Sequence, residues 1–174
     1  MKRGTLPAIP LAPRLLLPFL WGGVCASFLA APLLAANGHR LAAALLYSLF
    51  SPVCHQDPAR SFALCSLPWA VCHRCAGIYA GLLLVSLLPF EIAFVTRDPR
   101  ARRLWVAGAS APMLLDALLP LAGVWTSNAV SRFVTGLLFG AMLSSLLAAA
   151  VTELINEAPW RRKRLDAGAL GGPS

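Results

Sequence analysis

The chain has 174 residues, of which 58% are hydrophobic and only 13% are charged. A soluble domain usually carries about 25% charged residues, so this composition excludes an ordinary water-soluble surface and indicates that lipid faces much of the chain. The net charge is +8, but the lysines and arginines stand in short clusters between apolar runs, as they do at the ends of membrane spans. This distribution argues against nucleic acid as a partner and favours an integral membrane protein.

The first apolar run, residues 15–36, is long enough to cross a hydrocarbon core of about 30 Å. It is also longer than the apolar part of a signal peptide, which has about 7–15 residues. We therefore predict a transmembrane helix, with removal as a signal peptide as the alternative. The next run, residues 41–53, is too short to cross at about 1.5 Å per residue and predicts an interfacial helix.

Residues 54–75 hold four of the five cysteines together with two prolines. This composition predicts an ordered loop or re-entrant segment rather than a span. The sequence as a whole predicts an all-α polytopic membrane protein with about four transmembrane helices, in a single membrane domain over residues 1–158. The three further predicted spans cover about residues 76–95, 104–122 and 132–152.

The basic residues predict an orientation for these spans. With four spans, the N-terminus, the loop over 97–103 and the tail over 159–174 share one side and carry eleven of the 15 lysines and arginines. The positive-inside rule then places both termini in the cytoplasm and the cysteine-rich segment outside, in a multi-pass protein of the cytoplasmic membrane. We expect anionic lipid to contact the basic segments and the tail to be disordered.

Cys72 and Cys75 form a Cys-x-x-Cys pair, a spacing that lets two thiolates bind one metal ion or lets two thiols close a disulfide. Cys54 and His55 offer a third and a fourth ligand about eighteen residues upstream. Two adjacent side chains reach one ion with difficulty, so His73 is an alternative fourth ligand. The set resembles a site of three cysteines and one histidine for a transition metal such as zinc or iron. Structural disulfides, which an oxidising outer compartment favours, and active thiol–disulfide exchange are the alternatives.

Asp116 lies inside the third predicted span, where a carboxylate costs about 2.5–3.5 kcal/mol to insert and usually faces a partner or a cavity. Arg132 begins the fourth predicted span at the same end. We therefore expect an Asp116–Arg132 pair across the hairpin, either as a structural clasp or as the floor of a polar pocket. The other polar residues predicted at this membrane face are Gln56, Arg60, Ser61, Arg74 and Asn128.

Two Gly-x-x-x-Gly motifs predict close helix packing. One is formed by Gly77 and Gly81 and the other by Gly136 and Gly140. Such motifs let two helix backbones approach closely. The packing is expected either within the chain or between two chains, and the second alternative would make the protein a homodimer or a subunit of a membrane complex.

The motifs Cys54-His55-Gln56, Arg60-Ser61-Phe62 and Cys72-x-Arg74-Cys75-x-Gly77-Ile78-Tyr79-x-Gly81 resemble the signature of an uncharacterised prokaryotic membrane-protein family, domain of unknown function 2085. Asp116 and the run Arg132-Phe133-Val134-Thr135-Gly136 match later features of that family, and the resemblance covers about residues 45–140. The resemblance implies a membrane protein and supports the choice of site residues. It implies no particular reaction.

The sequence thus predicts a thiol-based metal-binding or redox site at the outer membrane face. Cys54, Cys72 and Cys75 would be ligands or redox thiols, and His55 would be a ligand or a base. The rival hypothesis is a transporter or membrane-complex assembly partner whose cysteines form structural disulfides. An enzyme acting on a lipid head group is a third alternative, because arginines bind phosphate, although the chain has no Gly-rich phosphate loop.

Overall fold

Five α-helices and one small β-hairpin form the part of the chain that the computed structural model describes, residues 11–88 and 99–157. The predicted tail over 159–174 lies outside these ranges. The helices are α1 (Leu11–Ala36), α2 (Arg40–Phe50), α3 (His73–Leu87), α4 (Pro99–Leu118) and α5 (Ala129–Glu157), and a 3-10 turn at Pro58–Arg60 precedes the strands β1 (Ser61–Leu64) and β2 (Leu67–Cys72).

The prediction of an all-α chain with four transmembrane helices is wrong. Among the described residues, two helices are long and apolar enough to cross a membrane, over Leu15–Ala36 in α1 and Ala129–Ala148 in α5. The first matches the predicted span over 15–36, and the second overlaps the one predicted over 132–152. The two strands between Ser61 and Cys72 add a β element that the prediction lacked.

Helices α3 and α4 fail as spans for different physical reasons. α3 has 15 residues and is about 22 Å long at 1.5 Å per residue, which is less than the hydrocarbon core. Residues 89–95 of the span predicted there lie outside the described ranges. α4 has 20 residues, but three arginines near its start and Asp116 near its end make it too polar for a membrane-crossing helix.

The β-hairpin occupies the cysteine-rich segment. β1 and β2 are antiparallel, with Ser61 opposite Cys72 and Leu64 opposite Leu67. The two residues of the turn, Cys65 and Ser66, have φ values of 54° and 62°, the left-handed conformation that two-residue hairpin turns use. The hairpin therefore ends with Cys72 directly before the first turn of α3.

Helix α2 folds back from the end of α1 through a turn at Gly38, whose φ is 82°. One face of α2 buries Ala43 and Phe50, whereas Leu41, Leu45 and Leu49 on the other face are exposed. An exposed apolar face fits the predicted interfacial helix over 41–53, and its position relative to a bilayer stays a prediction.

An aromatic core joins α1, α2, β2 and α3. The Phe28 ring lies 6.0 Å from the rings of Phe50 and Tyr79 and 5.8 Å from that of Trp69, measured between centroids. Cys54 is buried in the same cluster. The core therefore encloses one side of the cysteine-rich segment with apolar groups.

Helices α3 and α5 are parallel and pack through both Gly-x-x-x-Gly motifs. A Cβ atom on Gly77 would overlap the carbonyl oxygen of Phe133, and a Cβ atom on Gly140 would overlap that of Ile78. Gly81 and Gly136 are equally close to the opposing backbone. Both motifs are thus used within the chain.

Candidate metal centre

Three cysteines from three different elements meet in one place. Cys54 follows α2, and its amide donates to the carbonyl oxygen of Phe50 at 2.9 Å. Cys72 ends β2, and Cys75 lies in the first turn of α3. The Sγ atoms of the three cysteines lie within 4.8 Å of one another, so the fold brings together thiols that are up to 21 positions apart in the sequence.

The thiol cluster is shielded from water on its apolar side. Cys54 is 5% exposed, and Cys72 and Cys75 are partly buried against the aromatic core. The amide of Cys72 donates a hydrogen bond to Sγ of Cys54 at 3.2 Å. This contact positions the sulfur of Cys54 against the end of β2.

Cys72 and Cys75 differ in acidity. Hydrogen bonding with the Cys75 side chain lowers the pKa of Cys72 to about 5, against the opposing effect of burial, and the amides of Cys75 and Arg74 add to the lowering. The pKa of Cys75 is raised by its hydrogen bond with Cys72 and by burial. Of the two thiols, Cys72 is therefore the more readily deprotonated, and the thiolate is the form that binds metals and reacts.

All five cysteines lie in the described part of the chain, and each is a free thiol. Cys65 is exposed in the hairpin turn, and Cys25, within α1, packs against the same aromatic core without belonging to the triad. The structure therefore gives no support to the hypothesis that the cysteines form structural disulfides.

Neither histidine joins the thiols. His55 is exposed, and the group of ligand atoms found among residues 11–88 and 99–157 contains sulfur only. His73 is 8% exposed, its ring contacts Phe62 at 4.3 Å between centroids, and its Nδ1 atom has no hydrogen-bond partner. Burial and the charge of Arg132 lower the pKa of His73, against a smaller raising effect of Cys72. The site thus consists of three cysteines in this structure, without the predicted histidine.

Three of the predicted pocket residues stabilise the loop that leads into the hairpin. Gln56 Nε2 donates to the carbonyl oxygens of Tyr47 at 2.6 Å and Ala70 at 2.9 Å. Arg60 forms an exposed ion pair with Asp57 at 3.2 Å, and Ser61 Oγ donates to the Asp57 carbonyl oxygen at 2.9 Å. These contacts hold Cys54 and β2 together but place no polar atom among the thiols.

Asp116 forms its ion pair with Arg74 and not with Arg132 as expected. Arg74 Nη2 donates to Asp116 Oδ2 at 2.7 Å and to the Asp116 carbonyl oxygen at 3.0 Å. Arg132 Nε instead donates to Ser127 Oγ at 2.7 Å. Although burial alone would raise the pKa of Asp116, the hydrogen bonds from Arg74 and Ser131 lower it, so the carboxylate stays ionised.

Ser131 is a site residue that the sequence analysis missed. Its Oγ donates to Asp116 Oδ1 at 2.8 Å, and its amide donates to Asn128 Oδ1 at 2.8 Å at the start of α5. The sequence feature that could have identified it is the Asn-x-x-Ser spacing, which is typical of a capped helix start. Asn128, which we predicted in the pocket, serves mainly to cap α5.

Comparison with known proteins agrees with these motifs. The profile of a family described as predicted membrane protein (domain of unknown function 2085) matches residues 54–146, which include the three thiols, Arg74 and Asp116. An uncharacterized protein of Methanocaldococcus jannaschii is 36% identical over 96 residues, 55% of this chain and 61% of that protein, so this chain spans about three fifths of that relative. An uncharacterized protein of Methanothermobacter thermautotrophicus is 35% identical over 97 residues, 56% of this chain and 86% of that protein. No solved structure matches the chain. Because the family profile matches residues 54–146, the chain belongs to the domain of unknown function 2085 family of predicted membrane proteins, as its cysteine motifs predicted.

Proposed function

We propose that this protein binds a thiophilic transition-metal ion at Cys54, Cys72 and Cys75. The supporting observation is that the three Sγ atoms lie within 4.8 Å of one another. Metal–sulfur bonds of about 2.3 Å place sulfurs on one ion about 4 Å apart. Only a small inward movement of the side chains would therefore complete the site.

The donor set indicates which ions fit. Three sulfurs without nitrogen or oxygen form a soft site, which suits Cu(I), zinc or iron–sulfur chemistry better than hard cations. Among the described residues the cluster has no fourth ligand atom. A bound ion would then be three-coordinate or would keep one position for an external ligand, as catalytic and transfer sites do and closed structural sites do not.

The same proposal includes an arrangement in the cytoplasmic membrane with both termini on the cytoplasmic side. The Phe28 ring lies 6.0 Å from the Tyr79 ring, and Gly22 faces Leu83, so α1 runs antiparallel to α3. Because α3 and α5 are parallel, the start of α1 and the end of α5 lie at one end of the protein. In the sequence, the basic residues of the N-terminus and of the tail flank these two helix ends. Contacts of those segments with anionic lipid, and a homodimer or membrane partner, are further predictions.

We expect the purified protein, reduced and incubated separately with Cu(I), zinc and ferrous iron, to retain one of them near one ion per chain. Cys54→Ser, Cys72→Ser and Cys75→Ser should each reduce the retained metal at least tenfold, because two thiolates rarely hold an ion against a chelator. Cys65→Ser is the matched control, since Cys65 is exposed in the hairpin turn, and it should retain the wild-type amount. The measurement is elemental analysis of the protein in detergent after dialysis against a chelator.

Retention of none of the three ions, or equal loss in Cys65→Ser, would contradict the metal site. Thiol trapping on membranes then separates the rival hypotheses. Thiols that are permanently blocked would favour the transporter or assembly partner with structural disulfides. Thiols that interconvert with a disulfide would favour redox exchange.

A further inference from the structure

A groove far from the thiols combines positive charge with an apolar wall. It lies between α4 and α5 and has a volume of about 430 Å³. Its polar lining is Arg102, Arg103 and Ser110, and none of its lining residues among those that the structure describes is acidic. The apolar lining is formed by Val106, Ala107 and Leu146.

The position of this groove across the membrane follows from the packing of α4 against α5. Asp116 and Ser131 meet at one end of the α4–α5 pair, and Arg102 and Leu146 share the groove at the other, so the two helices are antiparallel. Leu146 is about 11 Å along α5 from the midpoint of the candidate span Ala129–Ala148, at 1.5 Å per residue. Half of a hydrocarbon core is about 15 Å, so exposed arginine side chains here reach the interface where lipid phosphates lie.

We propose that the groove binds one anionic phospholipid. The phosphate would accept hydrogen bonds from the guanidinium groups of Arg102 and Arg103, which donate in a fork that matches phosphate oxygens. One acyl chain would lie on the apolar wall formed by Val106, Ala107 and Leu146. The two positive charges of Arg102 and Arg103 favour an anionic head group over a zwitterionic one, whose ammonium they would repel. This site lies at the opposite end of α5 from the polar cluster at Asp116 and is independent of the metal.

The test measures lipid binding to the full chain in detergent by native mass spectrometry, with phosphatidylglycerol and phosphatidylcholine as separate probes. The wild-type protein should bind phosphatidylglycerol in preference. The double variant Arg102→Gln/Arg103→Gln should lose about 30-fold in affinity for it, roughly fivefold per arginine, and should lose much less affinity for phosphatidylcholine, whose ammonium offsets the attraction of its phosphate. Ala107→Trp, a change at an exposed position of the groove, should block the apolar wall and weaken both lipids while leaving both arginines in place.

The matched control is Arg40→Gln/Arg60→Gln, which removes the same charge from exposed positions outside the groove. Thermal unfolding midpoints of all variants establish that the fold is retained. If the groove double variant keeps its preference for phosphatidylglycerol, or if the control loses the same affinity, the proposed site is wrong and the preference reflects net charge.

Discussion

Asp116→Asn is expected to lower the free energy of unfolding by about 3 kcal/mol, because it leaves the guanidinium of Arg74, whose side chain is 25% exposed, without its carboxylate. The side chain of Asp116 is 5% exposed and accepts from Arg74 at 2.7 Å. Arg74 Nε is already buried without a partner, and Nη2 would keep only neutral acceptors such as the Asp116 carbonyl oxygen at 3.0 Å, so the guanidinium charge would be uncompensated. The measurement is equilibrium unfolding in mixed micelles, comparing the variant with the wild-type protein.

The second ion pair of the described residues provides the matched control. Asp57 and Arg60 lie 3.2 Å apart with side chains 43% and 63% exposed, and exposed pairs contribute about 0–1 kcal/mol. Asp57→Asn should therefore change the free energy of unfolding by less than about 1 kcal/mol. Equal effects of Asp116→Asn and Asp57→Asn would mean that burial does not strengthen the Arg74–Asp116 contact.

Gly140→Ala is expected to destabilise the protein by about 3 kcal/mol or to prevent folding. The added Cβ would overlap the carbonyl oxygen of Ile78, and backbone cannot move aside as a flexible side chain can, so α3 and α5 must separate. Overpacking of this kind costs about 1–3 kcal/mol and occasionally more. Gly77→Ala, which would collide with the carbonyl oxygen of Phe133, should have a similar effect in the same unfolding assay.

Gly108→Ala is the control for these variants. Gly108 lies in α4 with nothing within 4 Å of the added Cβ, and alanine is favoured over glycine in a helix by about 1 kcal/mol. Gly108→Ala should therefore be neutral or slightly stabilising. If Gly140→Ala were as well tolerated as Gly108→Ala, the close approach of α3 and α5 would not contribute to the stability of the fold.

The cysteine spacing predicted which residues form the candidate site but not how the fold brings their side chains together. Cys72 and Cys75 are three positions apart, and any helix start brings them close. The approach of Cys54 depends on the antiparallel register that pairs Ser61 with Cys72 and on the loop that Gln56 ties to Ala70. Strands of four and six residues are too short for alternation to stand out beside cysteines and prolines, so the hairpin was predicted as a loop.

The partner of Asp116 could not be chosen from the sequence for a related reason. Arg132 lies close in the chain across a predicted hairpin, whereas Arg74 lies 42 residues away. Arg74 is the partner of Asp116 because the glycines of α3 and α5 let the two helix backbones touch. This contact places the first turn of α3 near the end of α4. The number of spans was overestimated because apolar runs were extended through residues that end helices, such as Leu88 after α3.

X-ray absorption spectroscopy of the metal-loaded protein tests the central claim most directly, because it counts the sulfur ligands around the ion. For zinc, the Cys54–Cys72–Cys75 site predicts a first shell of three sulfurs at about 2.3 Å, falling to two in Cys54→Ser when that variant is measured at high protein concentration with stoichiometric zinc and without chelator. A first shell made mainly of nitrogen or oxygen, or a sulfur count that Cys54→Ser leaves unchanged, would contradict it.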